Sequence, residues 1–156
     1  MKKTLYLLIT SFMLPALLWS QSNKEEIDLI QSAFGMEKKA IVAKFVQVEG
    51  ESKEAFWTVY DEYETERKAL GQNRITLLQN YADNYFELDD AKIDELMGTA
   101  LKQKADLDKL LTKYYKKVKA QSGSQAAAQF WQIESYLLSA TRVAIFENIP
   151  MIGELK

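Results

Sequence analysis

Between Pro15 and Pro150 the chain contains no proline, and these two are its whole complement in 156 residues. Proline is the residue a helix interior tolerates least, at a cost of about 3 kcal/mol. The intervening stretch is rich in Ala, Leu, Glu, Lys and Gln, all strong helix formers, and its glycines stand isolated from one another. An all-α fold of long helices follows as the expectation.

Apolar periodicity divides that stretch into about four helices. The first runs from about Lys24 to Val46, with Ile27, Ile30, Phe34, Ile41 and Phe45 near the helical period, Asn23 available as a cap and Gly35 as a point of bending. The second runs from about Ser52 to Tyr85 and carries Phe56, Tyr60, Tyr63, Leu70, Leu77 and Tyr81 on one stripe, with Gly71 as its weakest position. Asp89 and Asp90 read as the cap of a third, reaching about Ala120, whose stripe is Ile93, Met97, Leu101, Leu107, Leu111, Tyr114 and Val118. Lys116, Lys117 and Lys119 suit its C-terminal end. After a break at Gln121 to Ser124 a fourth helix continues to about Glu147 and stops before Pro150.

A helix of the second one's length is about 50 Å long at ~1.5 Å per residue. A compact sphere of this chain length measures only about 37 Å across, from a radius of gyration near ~14 Å. The second and third helices are therefore expected to form a long antiparallel hairpin that projects beyond a globular bundle or pairs with a second copy, giving an elongated homodimer.

Residues 1–22 differ from the rest. Lys2 and Lys3 precede an uncharged apolar run from Leu5 to Trp19, and small residues follow at Ser20 and Ser22. This is the pattern of a secretory signal peptide, and the run is short against the roughly 20 apolar residues of a bilayer span. The expectation is a signal peptide at 1–22, a single helical domain at 23–156, no integral membrane segment after cleavage, and a periplasmic or secreted location. Without cysteine the exported chain has to rely on packing rather than disulfides.

The same composition removes much chemistry. With neither His nor Cys, Ser-His and Cys-His nucleophile pairs are impossible, and zinc or copper sites built on imidazole or thiolate are excluded. Carboxylate sites for hard cations remain conceivable at Asp89, Asp90 and Asp94, where helix capping is the simpler role. No glycine-rich phosphate loop occurs. Setting aside Lys2 and Lys3, 18 basic residues face 22 acidic ones, a net charge of about four negative that argues against nucleic-acid binding. A non-enzymatic chain without cofactor or metal is the expectation.

Beyond Trp19 the tryptophans are Trp57 and Trp131, each directly after a phenylalanine, in Phe56-Trp57-Thr58-Val59 and Phe130-Trp131-Gln132-Ile133. Both copies follow a glycine-containing break, at Gly50 and Gly123, as in an internal repeat of two helical hairpins. Phe56, Trp57, Tyr60, Tyr63, Tyr81, Phe130, Trp131 and Tyr136 are the candidate residues, either as a buried aromatic seam or as an adaptable surface for another protein. Glu134 stands between Ile133 and Tyr136 on an otherwise apolar or neutral stretch. If buried it needs a partner, and Arg67 and Arg74 are candidates.

In architecture the chain from about residue 24 to 147 resembles the exported helical-hairpin proteins of the Spy and CpxP type, which carry L-T-x-x-Q motifs at two helix starts. Ser122 and Gln125 stand at the matching capping-box spacing, with Gln121 where the motif has Leu, and Val48 aligns near the first copy. The chain also resembles a group of small exported helical proteins with an F-W-x-V-Y-x-E-Y segment, which stands here as Phe56-Trp57-Thr58-Val59-Tyr60-Asp61-Glu62-Tyr63. The first resemblance implies an ATP-independent chaperone or envelope-stress accessory that holds polypeptide clients on a helical face. A structural module docking one dedicated envelope partner, and a carrier with a small-ligand pocket inside the bundle, are the alternatives.

Overall fold

The computed structural model describes residues 37–155. The chain divides into two units, Met1–Ala40 and Ile41–Lys156. The expected signal peptide and most of the expected first helix lie outside the described residues.

All regular structure among the described residues is helical. Helix α1 occupies 37–45 and α2 occupies Glu51–Asn84. A single 3-10 turn, Tyr85–Glu87, leads to α3, Asp90–Asn148. Gly71 neither breaks nor ends α2, which carries its helical ladder through that position. The expected cap at Asp89 is present, its carboxylate accepting from the Lys92 backbone N–H at 2.8 Å.

Four helices were expected and the described residues hold three, because the anticipated loop at Gln121 to Ser124 shrinks to one residue. Gly123, at φ 86 and ψ 172, is the non-helical position inside α3. That conformation is nearly closed to any residue with a Cβ, so a single glycine interrupts the ladder where a loop seemed necessary. Gly50, at φ 57 and ψ −141, does the same at the start of α2. Each copy of the Phe-Trp pair thus follows a glycine of positive φ by one or two turns.

The bonds joining α2 to the first part of α3 run in opposite senses along the two helices. Lys117 Nζ donates to Glu62 Oε2 at 2.7 Å and Lys113 Nζ to Glu66 Oε1 at 2.6 Å. Farther along, Gln103 Nε2 donates to the Asn73 carbonyl at 2.9 Å. At the Gly50 and Gly123 end, the part of α3 after Gly123 returns against α2, and the Ser122 hydroxyl donates to the Ser52 carbonyl at 3.1 Å.

The core sits at that end. Phe56, Val59, Tyr60 and Tyr63 from α2 meet Leu110, Leu111, Tyr114 and Val118 from α3, and Ala126, Ala127, Phe130 and Ile133 from beyond Gly123. Val42 and Val46 close it. Rings meet edge to face, with Tyr63 and Phe130 centroids 5.1 Å apart and Tyr63 and Tyr114 5.4 Å apart. Each such buried side chain contributes about 1.5 to 3 kcal/mol through the water it leaves, and the edge-to-face contacts add a smaller directional component. The buried stripe of α3 differs from the expected one: Leu96 and Leu110 are buried, while Met97 and Leu101 are exposed. A period of 3.6 leaves neighbouring rows ambiguous when apolar residues are this dense, and packing selects between them.

Candidate functional site

Two polar and apolar constellations stand out, and the first lies inside the core. Glu134 is fully buried and accepts hydrogen bonds from the Tyr63 hydroxyl at 2.7 Å and the Tyr60 hydroxyl at 3.2 Å. Tyr60 and Tyr63, themselves buried, place both phenols on one side of α2 because residues three apart share a face. Burial first, and then the adjacent Glu134 carboxylate, push both phenols well above the usual tyrosine range. They therefore hold their protons and act as donors at all ordinary pH. One turn on, Arg67 Nε and its terminal nitrogen donate to Glu64 at 2.8 and 3.0 Å. Burial opposes the Arg67 charge, but Glu64 more than offsets it and holds the guanidinium above its usual value.

For a buried Glu134 the sequence offered Arg67 and Arg74 as candidate partners. The structure gives it the two tyrosine hydroxyls and directs the Arg67 fork to Glu64. Arg67 lies three residues after Glu64 on the same face of α2, close enough for its fork to close on that carboxylate. Tyr60, Tyr63 and Glu134 are all buried, so their hydrogen bonds tie α2 to the returning part of α3 inside the core.

The candidate aromatics separate accordingly. Phe56, Tyr60, Tyr63 and Phe130 are core residues, and Trp57 is half-buried against them. Tyr81 is half-buried and donates to the Pro150 carbonyl at 2.8 Å. Trp131 and Tyr136 face outward, 47% and 68% exposed. The eight do not form one surface.

The second constellation is an open groove of about 710 Å³ at the other end of α2. Its walls come from the second half of α2, the first part of α3 and the stretch from Leu138 to Ile152. It exists because the returning part of α3 packs on the core only as far as Leu137 and Leu138. Beyond them Val143 and Phe146 are exposed. Leu77, Leu96, Leu107 and Ile145 make an apolar floor, and Gly71 is part of the α2 wall. Tyr85 ties down the stretch that follows Pro150, donating to the Met151 carbonyl at 2.7 Å and accepting from the Leu155 N–H at 2.9 Å.

Polar groups in the groove are sparse and of one sign. Arg67, Arg74, Lys104 and Arg142 line it, with no aspartate or glutamate among the described residues. Gln103, also in the lining, has a buried Oε1 without a hydrogen-bond partner among the described residues. Leaving such an atom unpaired costs about 1 to 3 kcal/mol.

Sequence reasoning missed this groove, although it had picked out Arg74, Leu77 and Leu101 singly. The available signal was a surplus of apolar residues such as Leu101, Val143 and Phe146, more than a narrow core-facing stripe can bury.

Among the described residues no three acidic side chains converge on a metal-sized site, and no helix is long and apolar enough to cross a membrane. In comparisons with known proteins, no family, no characterised protein and no solved structure matches the chain.

Proposed function

We propose that the protein is a non-enzymatic, exported binding protein that seats an apolar ligand in the groove between α2 and α3. The reading rests on one observation: about 710 Å³ of open space is floored by leucine and isoleucine and rimmed by a few polar groups. Pockets for small ligands occupy roughly 300 to 1,000 Å³ and share that lining pattern. Burying the exposed Leu101 and Phe146 under a ligand is favourable at about 25 cal/mol per Å² of apolar surface.

The test uses the neutral dye N-phenyl-1-naphthylamine, whose fluorescence rises in apolar surroundings. Saturable binding is expected, and it should be abolished by Ala100→Trp, which fills the groove from the α3 wall. Dye binding that Ala100→Trp leaves intact would place the apolar site elsewhere and overturn the reading.

A second reading, binding of other polypeptides, is favoured by the outward-facing Trp131 and Tyr136 and by Phe86, which is 81% exposed. It accords with the likeness to Spy-type helical hairpins, and with a long hairpin that pairs with a second copy as an elongated dimer. Its measurement is light scattering from two unrelated unfolded clients with no nucleotide added. Suppression near stoichiometry with both supports a chaperone, and suppression with neither removes it. A dedicated envelope partner then becomes the protein-binding alternative.

A further inference from the structure

The groove has a charge signature beyond what an apolar ligand requires. Acidic residues outnumber basic ones in the chain, 22 to 20, yet among the described residues the ionisable groups lining the groove are cationic apart from the Tyr81 phenol. Two of those cations are already committed. Arg67 is held by Glu64 in a two-pronged contact, and Lys104 Nζ donates to Asp108 at 3.2 Å. Arg74 and Arg142 have no hydrogen bond or ion pair among the described residues.

Arg74 is half-buried on α2, and Arg142 stands exposed at the rim on the returning part of α3. Burial, and then the like charge of Arg142, work against the charged form of Arg74. Arginine nevertheless stays protonated in proteins. Two guanidiniums that repel one another across an apolar cleft are a standing cost, and an anion between them removes it. The planar fork of each suits a carboxylate or a phosphate.

We infer that the groove binds a single-chain amphipathic anion, an alkyl tail on the apolar floor with its carboxylate or phosphate head between Arg74 and Arg142. This rests on the groove reading above. The head position is internal to the groove: lining positions on α2 run from Arg67 to Tyr81, about 20 Å of helix at ~1.5 Å per residue, and Arg74 is the midpoint. The tail then runs from Arg74 toward Leu77, Leu96 and Ile145, which lie on all three walls. A volume of about 710 Å³ suits such a chain, whereas a docked helix, at about 10 to 12 Å in diameter, would stand largely outside it.

Competition against N-phenyl-1-naphthylamine on the purified protein tests this with four compounds that share one tail: dodecanoate, dodecyl phosphate, dodecanol and dodecyltrimethylammonium. Both anions should displace the dye at least about tenfold more tightly than dodecanol, with the cation weakest. Arg74→Gln and Arg142→Gln should each weaken the anions by about tenfold, the worth of one charge-assisted hydrogen bond. Dodecanol affinity should stay unchanged in both variants, which shows that the groove is still formed. Whether dodecanoate or dodecyl phosphate binds more tightly separates a fatty-acid head from a phospholipid-like one. Equal affinity for dodecanol and dodecanoate, unaffected by either arginine substitution, would overturn the head-group inference while leaving the apolar-groove reading in place. Failure of the dye and all four compounds to bind would sink both. Displacement of the dye by an acidic amphipathic peptide, with dodecanoate inactive, would replace the small amphiphile by a protein partner.

Discussion

The Tyr63 hydroxyl donates to the Glu134 carboxylate at 2.7 Å, joining α2 to the part of α3 that follows Gly123 across 71 residues of chain. The Tyr60 hydroxyl reaches the same carboxylate at 3.2 Å. Tyr60 and Glu134 are separated by 74 residues, the same interval that separates Phe56 from Phe130. The two halves of the internal echo therefore meet at corresponding positions, with a donor in one copy and an acceptor in the other.

Glu134→Ala should cost about 3 to 5 kcal/mol in urea unfolding, because it leaves two buried hydroxyls without this acceptor and opens space in the core. Glu134→Gln keeps a carbonyl oxygen of the same shape and should cost about 1 to 2 kcal/mol. A loss under about 1 kcal/mol for the alanine variant would mean that the phenols find other partners at little cost.

Alkaline pH should destabilise the fold through Tyr60 and Tyr63. Their phenols titrate higher in the folded state than in the unfolded chain, so above about pH 10 the unfolded state loses protons that the native state keeps. Stability from this source is complete below that pH and falls above it by about 1.4 kcal/mol per pH unit for each tyrosine. Urea midpoints at rising pH measure the slope, and replacing both tyrosines by phenylalanine should flatten it. An unchanged slope in that double variant would assign alkaline loss to other groups.

Glycine substitutions should act in opposite directions along α3. Gly123 holds φ 86, and a Cβ there would meet nothing within 4 Å, so the cost of Gly123→Ala is backbone strain of about 1 to 3 kcal/mol. Gly98 lies in regular helix with equally open surroundings, and Gly98→Ala should stabilise by about 0.5 to 1 kcal/mol. Thermal unfolding of the two variants side by side gives the sign of each. A neutral Gly123→Ala would show that the helix straightens through residue 123 without penalty.

Tyr85→Phe removes a donor to the Met151 carbonyl and an acceptor for the Leu155 N–H. Amide exchange at residues 151–155 should accelerate, with global stability falling by only about 1 kcal/mol, since these contacts lie outside the core. Exchange that remains slow would mean that apolar contacts, rather than the tyrosine, hold the C-terminal stretch.

Several features were legible from local chemistry. The span of α2 follows from the absence of proline and from apolar residues at helical spacing, and the start of α3 from the aspartate at its cap. The apolar and neutral neighbours of Glu134 raised its burial as a question that the sequence left open. Its partners were not readable, because any side chain on the facing helix within reach would have satisfied the same local pattern. Phe56 and Trp57 are adjacent in sequence, as are Phe130 and Trp131, yet Phe130 is fully buried and Trp131 is 47% exposed.

Helical class, the span of α2, the start of α3 and the exclusion of histidine and cysteine chemistry were determined by the sequence alone, because proline content, capping residues and composition act locally. The core register, the reduction of a loop to Gly123 and the groove with two arginines that are unpaired among the described residues were decided by tertiary structure. Arg74 and Arg142 lie 68 positions apart in the chain, by subtraction of their numbers. Only the return of α3 against α2 brings them to one cleft, and only where that packing loosens does the cleft remain open.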